Sequence, residues 1–171
     1  MKVLITNYIS QFEEIQNGQP WVGNSYRGIL RNINDSNGFI QPFKEMHSIA
    51  EILSHCTMWR NEATLKIEKG FGTKTDDSIE NWLSNSVLQN KGWKAIHNNY
   101  KLSIENFIEA LSFKEDTFLM RTYYDIDFKK ECQYKFLIEG MLHHDLYHLG
   151  QLGLIKKFIE ETEIFNYNLI H

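Results

Sequence analysis

Seven histidines occur in this chain, and three of them are placed so that they could bind one metal ion. His144 and His148 lie four residues apart. On a helix that spacing puts both side chains on one face, with β-carbons about 5–6 Å apart. Two imidazole nitrogens can then reach one ion. Leu137, Met141, His144, His148, Gln151, Ile155 and Phe158 follow one another in steps of four and three, the inward seam of a bundle helix. Apolar residues fill both ends of the seam and metal-competent polar residues fill its middle. Buried polar groups need partners, so the middle predicts either a ligand site or a polar core network. In the network reading, neutral histidines bond Gln151, Glu51 or backbone carbonyls instead of an ion.

The third ligand must come from another helix. His55 follows Ile52 by three residues and precedes Trp59 by four, at the edge of an apolar stripe, and can turn inward. Three neutral imidazoles with one open position form a recognised catalytic arrangement for a divalent ion. Spacing does not choose among zinc, nickel, cobalt, manganese and iron; zinc or nickel is the expectation, with the other three left open. His47 is the rival ligand, expected instead at an exposed helix entrance. His143 and Asp145 point about 100° to either side of His144 and are expected on a solvated flank. Gln151, three residues beyond His148, faces the same cavity and can bond a metal-bound water or orient an imidazole. Spacing identifies no catalytic residue. The sequence contains no HExxH, GxSxG, Walker loop or dinucleotide fingerprint. Cys56 diverges from its neighbour His55 on a helix, so a Cys–His nucleophile is not expected.

Four principal helices must position these groups. The first runs from Val3 to Gln16, pauses at Asn17-Gly18 and resumes from Ser25 to Ile33. Ser48, followed three residues later by Glu51, forms a capping-box pair. It opens a second helix whose stripe is Ile49, Ile52, Cys56, Trp59, Ala63 and Ile67, ending before Gly70. Residues 71–90 are less regular, and Ser78-Ile79-Glu80-Asn81-Trp82-Leu83 reads as a short helix or an extended arm over the bundle. A third helix is predicted from Trp93 to Phe118 and a fourth from Lys130 to Glu161, without strands. Gly140, Gly150 and Gly153 each weaken the fourth by up to about 1 kcal/mol, which suggests close packing or room made for something. The expected class is all-α, a four-helix bundle in a single domain over residues 1–171.

The chain has 171 residues and 20.3 kDa, enough for one core. Its net charge of -4 and pI near 6.0 supply no broad basic field for nucleic acid or anionic lipid. It contains no apolar run of membrane-spanning length, and its first residues are not expected to act as a secretory signal. Two cysteines, Cys56 and Cys132, fit a reducing compartment. The expectation is a cytoplasmic protein whose partner is a small molecule, not nucleic acid or a membrane.

Three runs carry a resemblance: Gly18-Gln19-Pro20-Trp21-Val22-Gly23-Asn24-Ser25, then His47-Ser48-Ile49-Ala50-Glu51-Ile52-Leu53-Ser54-His55, then Gly140-Met141-Leu142-His143-His144-Asp145-Leu146-Tyr147-His148-Leu149-Gly150-Gln151. Together, in this order, they resemble the DinB-like superfamily, which includes damage-inducible proteins and YfiT-like metal-dependent hydrolases and thiol transferases. The similarity spans nearly the whole chain and is most specific from His144 to Gln151. It implies an up-down-down-up bundle with long crossovers, a divalent ion on His55, His144 and His148, and a homodimer. It also implies either transfer of a small thiol cosubstrate, such as bacillithiol or mycothiol, to an electrophile, or metal-dependent hydrolysis. A non-enzymatic metal-binding dimeric scaffold is the third alternative. Hydrolysis needs a base beside the ion, and spacing fixes none, so transfer is the preferred expectation.

Overall fold

The computed structural model describes the backbone of residues 1–170 and the side chains of residues 1–161. The chain is mostly helical. It forms α1 (Val3–Asn17), α2 (Tyr26–Leu30), α3 (Ile49–Lys69), α4 (Asn85–Lys91) and α5 (Trp93–Ser112), then β1 (Thr122–Asp125), β2 (Lys130–Gln133) and α6 (Tyr134–Ile170). Two 3₁₀ turns, Ile79–Trp82 and Asp116–Met120, lie between them. α3 packs on α5 and α6, and α1 also packs on α5 and α6. Each of the four long helices therefore has two others as neighbours, around a core that includes Phe12, Tyr26, Ile49, Leu53, Phe107, Leu111, Ile138 and Leu152. Among the described residues, no helix is long and apolar enough to cross a membrane.

Helix ends follow local chemistry. Ser48 Oγ accepts from the Glu51 N–H at 3.2 Å, and the Glu51 carboxylate accepts from the Ser48 N–H at 2.8 Å. That reciprocal cap starts α3. Gly70, at φ 79°, ends it in the left-handed region that a side chain would strain. α1 takes its cap from far along the chain: the Asp116 carboxylate accepts the Val3, Leu4 and Ile5 N–H groups, each at 3.0 Å. A carboxylate there satisfies orphan donors and meets the positive end of the helix dipole.

Two expected boundaries are corrected. The third helix stops at Ser112 rather than Phe118, because the chain turns there to deliver Asp116 to α1. Residues 130–133, expected to open the last helix, instead pair antiparallel with 122–125. Asp125 explains this hairpin. Its carboxylate accepts the Asp127 and Phe128 N–H groups at 3.0 and 3.1 Å, which closes the turn, and it also accepts the Tyr123 hydroxyl at 3.0 Å and the Lys66 ammonium of α3 at 2.9 Å. The expectation of no strands fails on this single carboxylate. In the irregular stretch, the short-helix reading is the one observed, as a 3₁₀ turn. Of the three glycines in α6, only Gly153 sits against a neighbour: a β-carbon there would lie 3.6 Å from Ile29 Cδ1, whereas Gly140 and Gly150 face open space.

Candidate metal centre

α3 brings His55, and α6 brings His144 and His148, to one point. A ring nitrogen from each lies within 4.8 Å of the other two. His55 and His148 are buried and His144 is half-buried. The 3₁₀ turn supplies the outer wall. Its Trp82 indole lies flat on His55, with centroids 4.0 Å apart and planes at 10°. Asn81 holds the turn in place: its amide donates to the Asp76 carbonyl at 2.9 Å and accepts from Trp59 Nε1 at 2.9 Å.

Hydrogen-bond partners fix where the ring hydrogens sit. His55 Nδ1 is 3.0 Å from the Asn81 carbonyl oxygen and His148 Nδ1 is 2.7 Å from Gln151 Oε1. Those oxygens only accept, so both Nδ1 atoms carry hydrogen and both Nε2 atoms keep a lone pair. Burial lowers the His55 pKa to about 4, and burial with repulsion from His144 and His55 lowers that of His148 to about 3. Both rings are therefore neutral at pH 7, the form that binds metal.

His144 keeps at least one unsatisfied ring nitrogen among these neighbours in either neutral form. Its Nε2 faces the His55 Nε2 lone pair at 3.0 Å. Its Nδ1 is buried without a hydrogen-bond partner among the described residues and lies 3.7 Å from Asp145 Oδ1. With hydrogen on Nδ1, two lone pairs face each other. With hydrogen on Nε2, the ring donates to the His55 Nε2 lone pair, but its own Nδ1 lone pair is left beside a carboxylate. A cation at the Nε2 atoms removes the conflict and keeps the Nδ1 hydrogen on the Asp145 side. A tetrahedral ion with bonds of about 2.0–2.1 Å spaces its nitrogens roughly 3.3 Å apart, close to the 3.0 Å between the His55 and His144 Nε2 atoms and inside the 4.8 Å that bounds all three. The three imidazoles fit a divalent ion.

Acid should destabilise the metal-free protein. The unfolded chain takes up protons at His55 and His148 near pH 6.5 that the folded protein resists until about 4 and about 3. Unfolding therefore binds protons across that window, and stability falls as pH drops from 7 toward 4. Chelator-treated protein should lose about 5 °C of Tm per pH unit below 6.5. A flat Tm from pH 7 to pH 4.5 would show that these rings are not held neutral by burial.

The expected flank is half right: His143 is exposed, but Asp145 is fully buried. Ile138, Asp145 and Leu152 are each 0% exposed and seven residues apart, so the centre of the buried face runs through Asp145 and the histidine seam is one edge of it. Arg60 of α3, also 0% exposed, is the reason. Its Nη2 lies 2.8 Å and its Nε 3.1 Å from Asp145 Oδ2, and Nη2 also donates to the Tyr100 hydroxyl at 3.1 Å. The signal was available in the sequence. Arg60 follows Cys56 by four and precedes Ala63 by three, which places it rather than Trp59 on the inward line, opposite an inward Asp.

Cys56, His144 and Asp145 form a second close group, again within 4.8 Å. Arg60 already supplies the cation there, and burial pushes the Cys56 thiol up to about 12, so this group is an ion pair beside a neutral thiol. His47 stays outside the triad. It stacks on Trp82 at 3.8 Å and lies 3.8 Å from the Glu51 carboxylate, largely exposed. Cavities of about 360 Å³ beside α3 and α5 and about 1120 Å³ beside α1, α2 and α5 have none of the three imidazoles in their walls. The triad meets solvent instead at half-buried His144. Comparison with protein-family models, curated proteins and solved structures finds no match.

Proposed function

We propose that this chain is a DinB-like four-helix bundle, ordered up-down-down-up, that holds a divalent ion, zinc or nickel, on His55, His144 and His148 and transfers a low-molecular-weight thiol to an electrophile. The observation that carries the metal is the convergence of one ring nitrogen from each of the three histidines within 4.8 Å, with His55 Nε2 kept as a lone pair by the Asn81 carbonyl. The bundle is supported by the packing of α1 and α3 on both α5 and α6. The homodimer and the cytoplasmic setting belong to the proposal through the sequence resemblance and composition.

The choice of transfer over hydrolysis rests on the carboxylates. Activating water requires a free base within hydrogen-bond reach. Asp145 is spent on Arg60, and Glu51 accepts from the Ser48 N–H at 2.8 Å and the Gln41 amide at 3.0 Å. When bound, the ion would supply Lewis acidity that makes a coordinated thiol a thiolate. The protein's own tasks are then to keep His55 and His148 neutral, to cover His55 with Trp82, and to leave the His144 side open to the reactants.

A paired screen tests this. Metal-loaded protein should consume electrophiles only when bacillithiol, glutathione or cysteine is present, and His148→Ala should abolish that acceleration. Ester or amide hydrolysis without thiol, lost in His148→Ala, would establish the hydrolase instead. Silence in both arms with the ion bound would leave a scaffold in which the ion is a structural clip.

A further inference from the structure

α3 holds one residue of the first 3₁₀ turn at two points. His55 Nδ1 donates to the Asn81 carbonyl at 3.0 Å, and Trp59, about one helical turn further on, donates from Nε1 to Asn81 Oδ1 at 2.9 Å. Asn81 is 7% exposed, and its other two polar groups are also occupied. Nδ2 donates to the Asp76 carbonyl and the backbone N–H to the Ser78 carbonyl, each at 2.9 Å. Neither partner of the side-chain amide can reverse its role. An indole N–H only donates and a backbone carbonyl only accepts, so Trp59 and Asp76 together fix which end of the amide faces α3. The same turn carries Trp82, stacked between His55 and His47 with centroids 4.0 and 3.8 Å away.

We propose that Trp59 is a positioning residue for the ligand His55, and that the ion and the 3₁₀ turn stabilise each other through the Asn81 carbonyl. By gripping the Asn81 side chain, the indole keeps that carbonyl on His55 Nδ1, and keeps Trp82 over the ring. His55 is then held with Nε2 toward the other two histidines. Coordination at Nε2 draws electrons from the imidazole and makes Nδ1–H a stronger donor to the carbonyl. An ion that favours the docked turn is favoured by it to the same extent. Arg60 takes the inward line of α3, which leaves the half-buried Trp59 at its edge with the N–H directed at the turn. The ion's part in this inference rests on the metal reading above, whereas the grip on His55 belongs to the metal-free protein as well.

Hydrogen exchange followed by NMR is the experiment. It is read at the His55 Nδ1–H and at the amides of Ser78 and Asn81, which bond the Thr75 and Ser78 carbonyls. The Tyr134 amide, bonded to the Arg121 carbonyl at the start of α6, is the reference. In zinc-free protein Trp59→Phe should speed exchange at all three positions about threefold to tenfold, the worth of one hydrogen bond, and leave Tyr134 unchanged. That effect should vanish in an Asn81→Ala background, because the indole acts only through the amide. Saturating zinc should slow the same three positions about tenfold or more relative to Tyr134. An unchanged His55 Nδ1–H in Trp59→Phe would overturn the inference. So would an equal acceleration in the Asn81→Ala background, which would trace to lost packing. Bound zinc that left the turn exchanging at its zinc-free rate would overturn the coupling. If competition with a chelating dye found no zinc on the wild type, the metal reading would fail and the coupling with it, and the zinc-free comparison would still decide the role of Trp59.

Discussion

Replacing Arg60 with Met should destabilise the protein by about 3–5 kcal/mol, a Tm loss of about 10 °C or more. The guanidinium meets Asp145 through Nε and Nη2 where neither side chain is exposed. Burial opposes the charge on Arg60, but Asp145 together with Tyr100, Cys56 and Tyr26 outweighs it and raises the pKa well above the ordinary value. Removing either partner leaves the other as an uncompensated charge in the core. Asp145→Asn should therefore fall in the same range, the more so because Arg60 Nη1 already lacks a hydrogen-bond partner among the described residues. The double variant Arg60→Met/Asp145→Leu should recover much of the loss, since well-packed apolar pairs often replace buried ion pairs without net cost. Denaturant titration of all three variants is the measurement. Single variants within about 1 kcal/mol of wild type, or a double variant as unstable as the sum of the two, would refute this account.

The second large effect is loss of the ion itself. His55→Ala, His144→Ala and His148→Ala should each reduce bound zinc or nickel from one ion per chain toward none, measured by elemental analysis after dialysis. His47→Ala should keep its ion, because His47 stacks on Trp82 outside the group of three. Metal at a hundredfold excess over Kd should add about 2.7 kcal/mol of stability, or about 5–10 °C of Tm, to the wild type and to His47→Ala alone. Full metal content in all three triad variants would remove the centre from consideration. Loss in His47→Ala with retention in His55→Ala would assign the third ligand to His47.

Much of this centre is readable in the sequence because a helix turns spacing into direction. His144 and His148 must share a face, His55 must flank an apolar stripe, and the Ser48 and Glu51 pair must start a helix. Each statement concerns residues within one or two turns, where covalent geometry alone relates them. Gln151 belongs to the same class, since a residue three positions from His148 can reach its ring and does so at 2.7 Å. The breaks at Gly18 and Gly70 are local in the same way.

Periodicity resolves a helix face to about one residue, and the misassigned groups fall inside that margin. The inward line of α6 passes through Asp145, not only along the adjacent histidine edge, because Arg60 waits 85 residues away in sequence to neutralise it. The hairpin exists because Asp125 accepts Lys66 from 59 residues away as well as its own turn amides. The fixed hydrogen on His55 comes from an Asn81 carbonyl on a segment with no regular pattern. By itself the sequence determined which residue types could meet on each helix and in which register. Only the tertiary structure decided which polar groups received partners. Burying a charge or an imidazole is tolerable only where another element supplies the matching group, and no local pattern states what lies across the core.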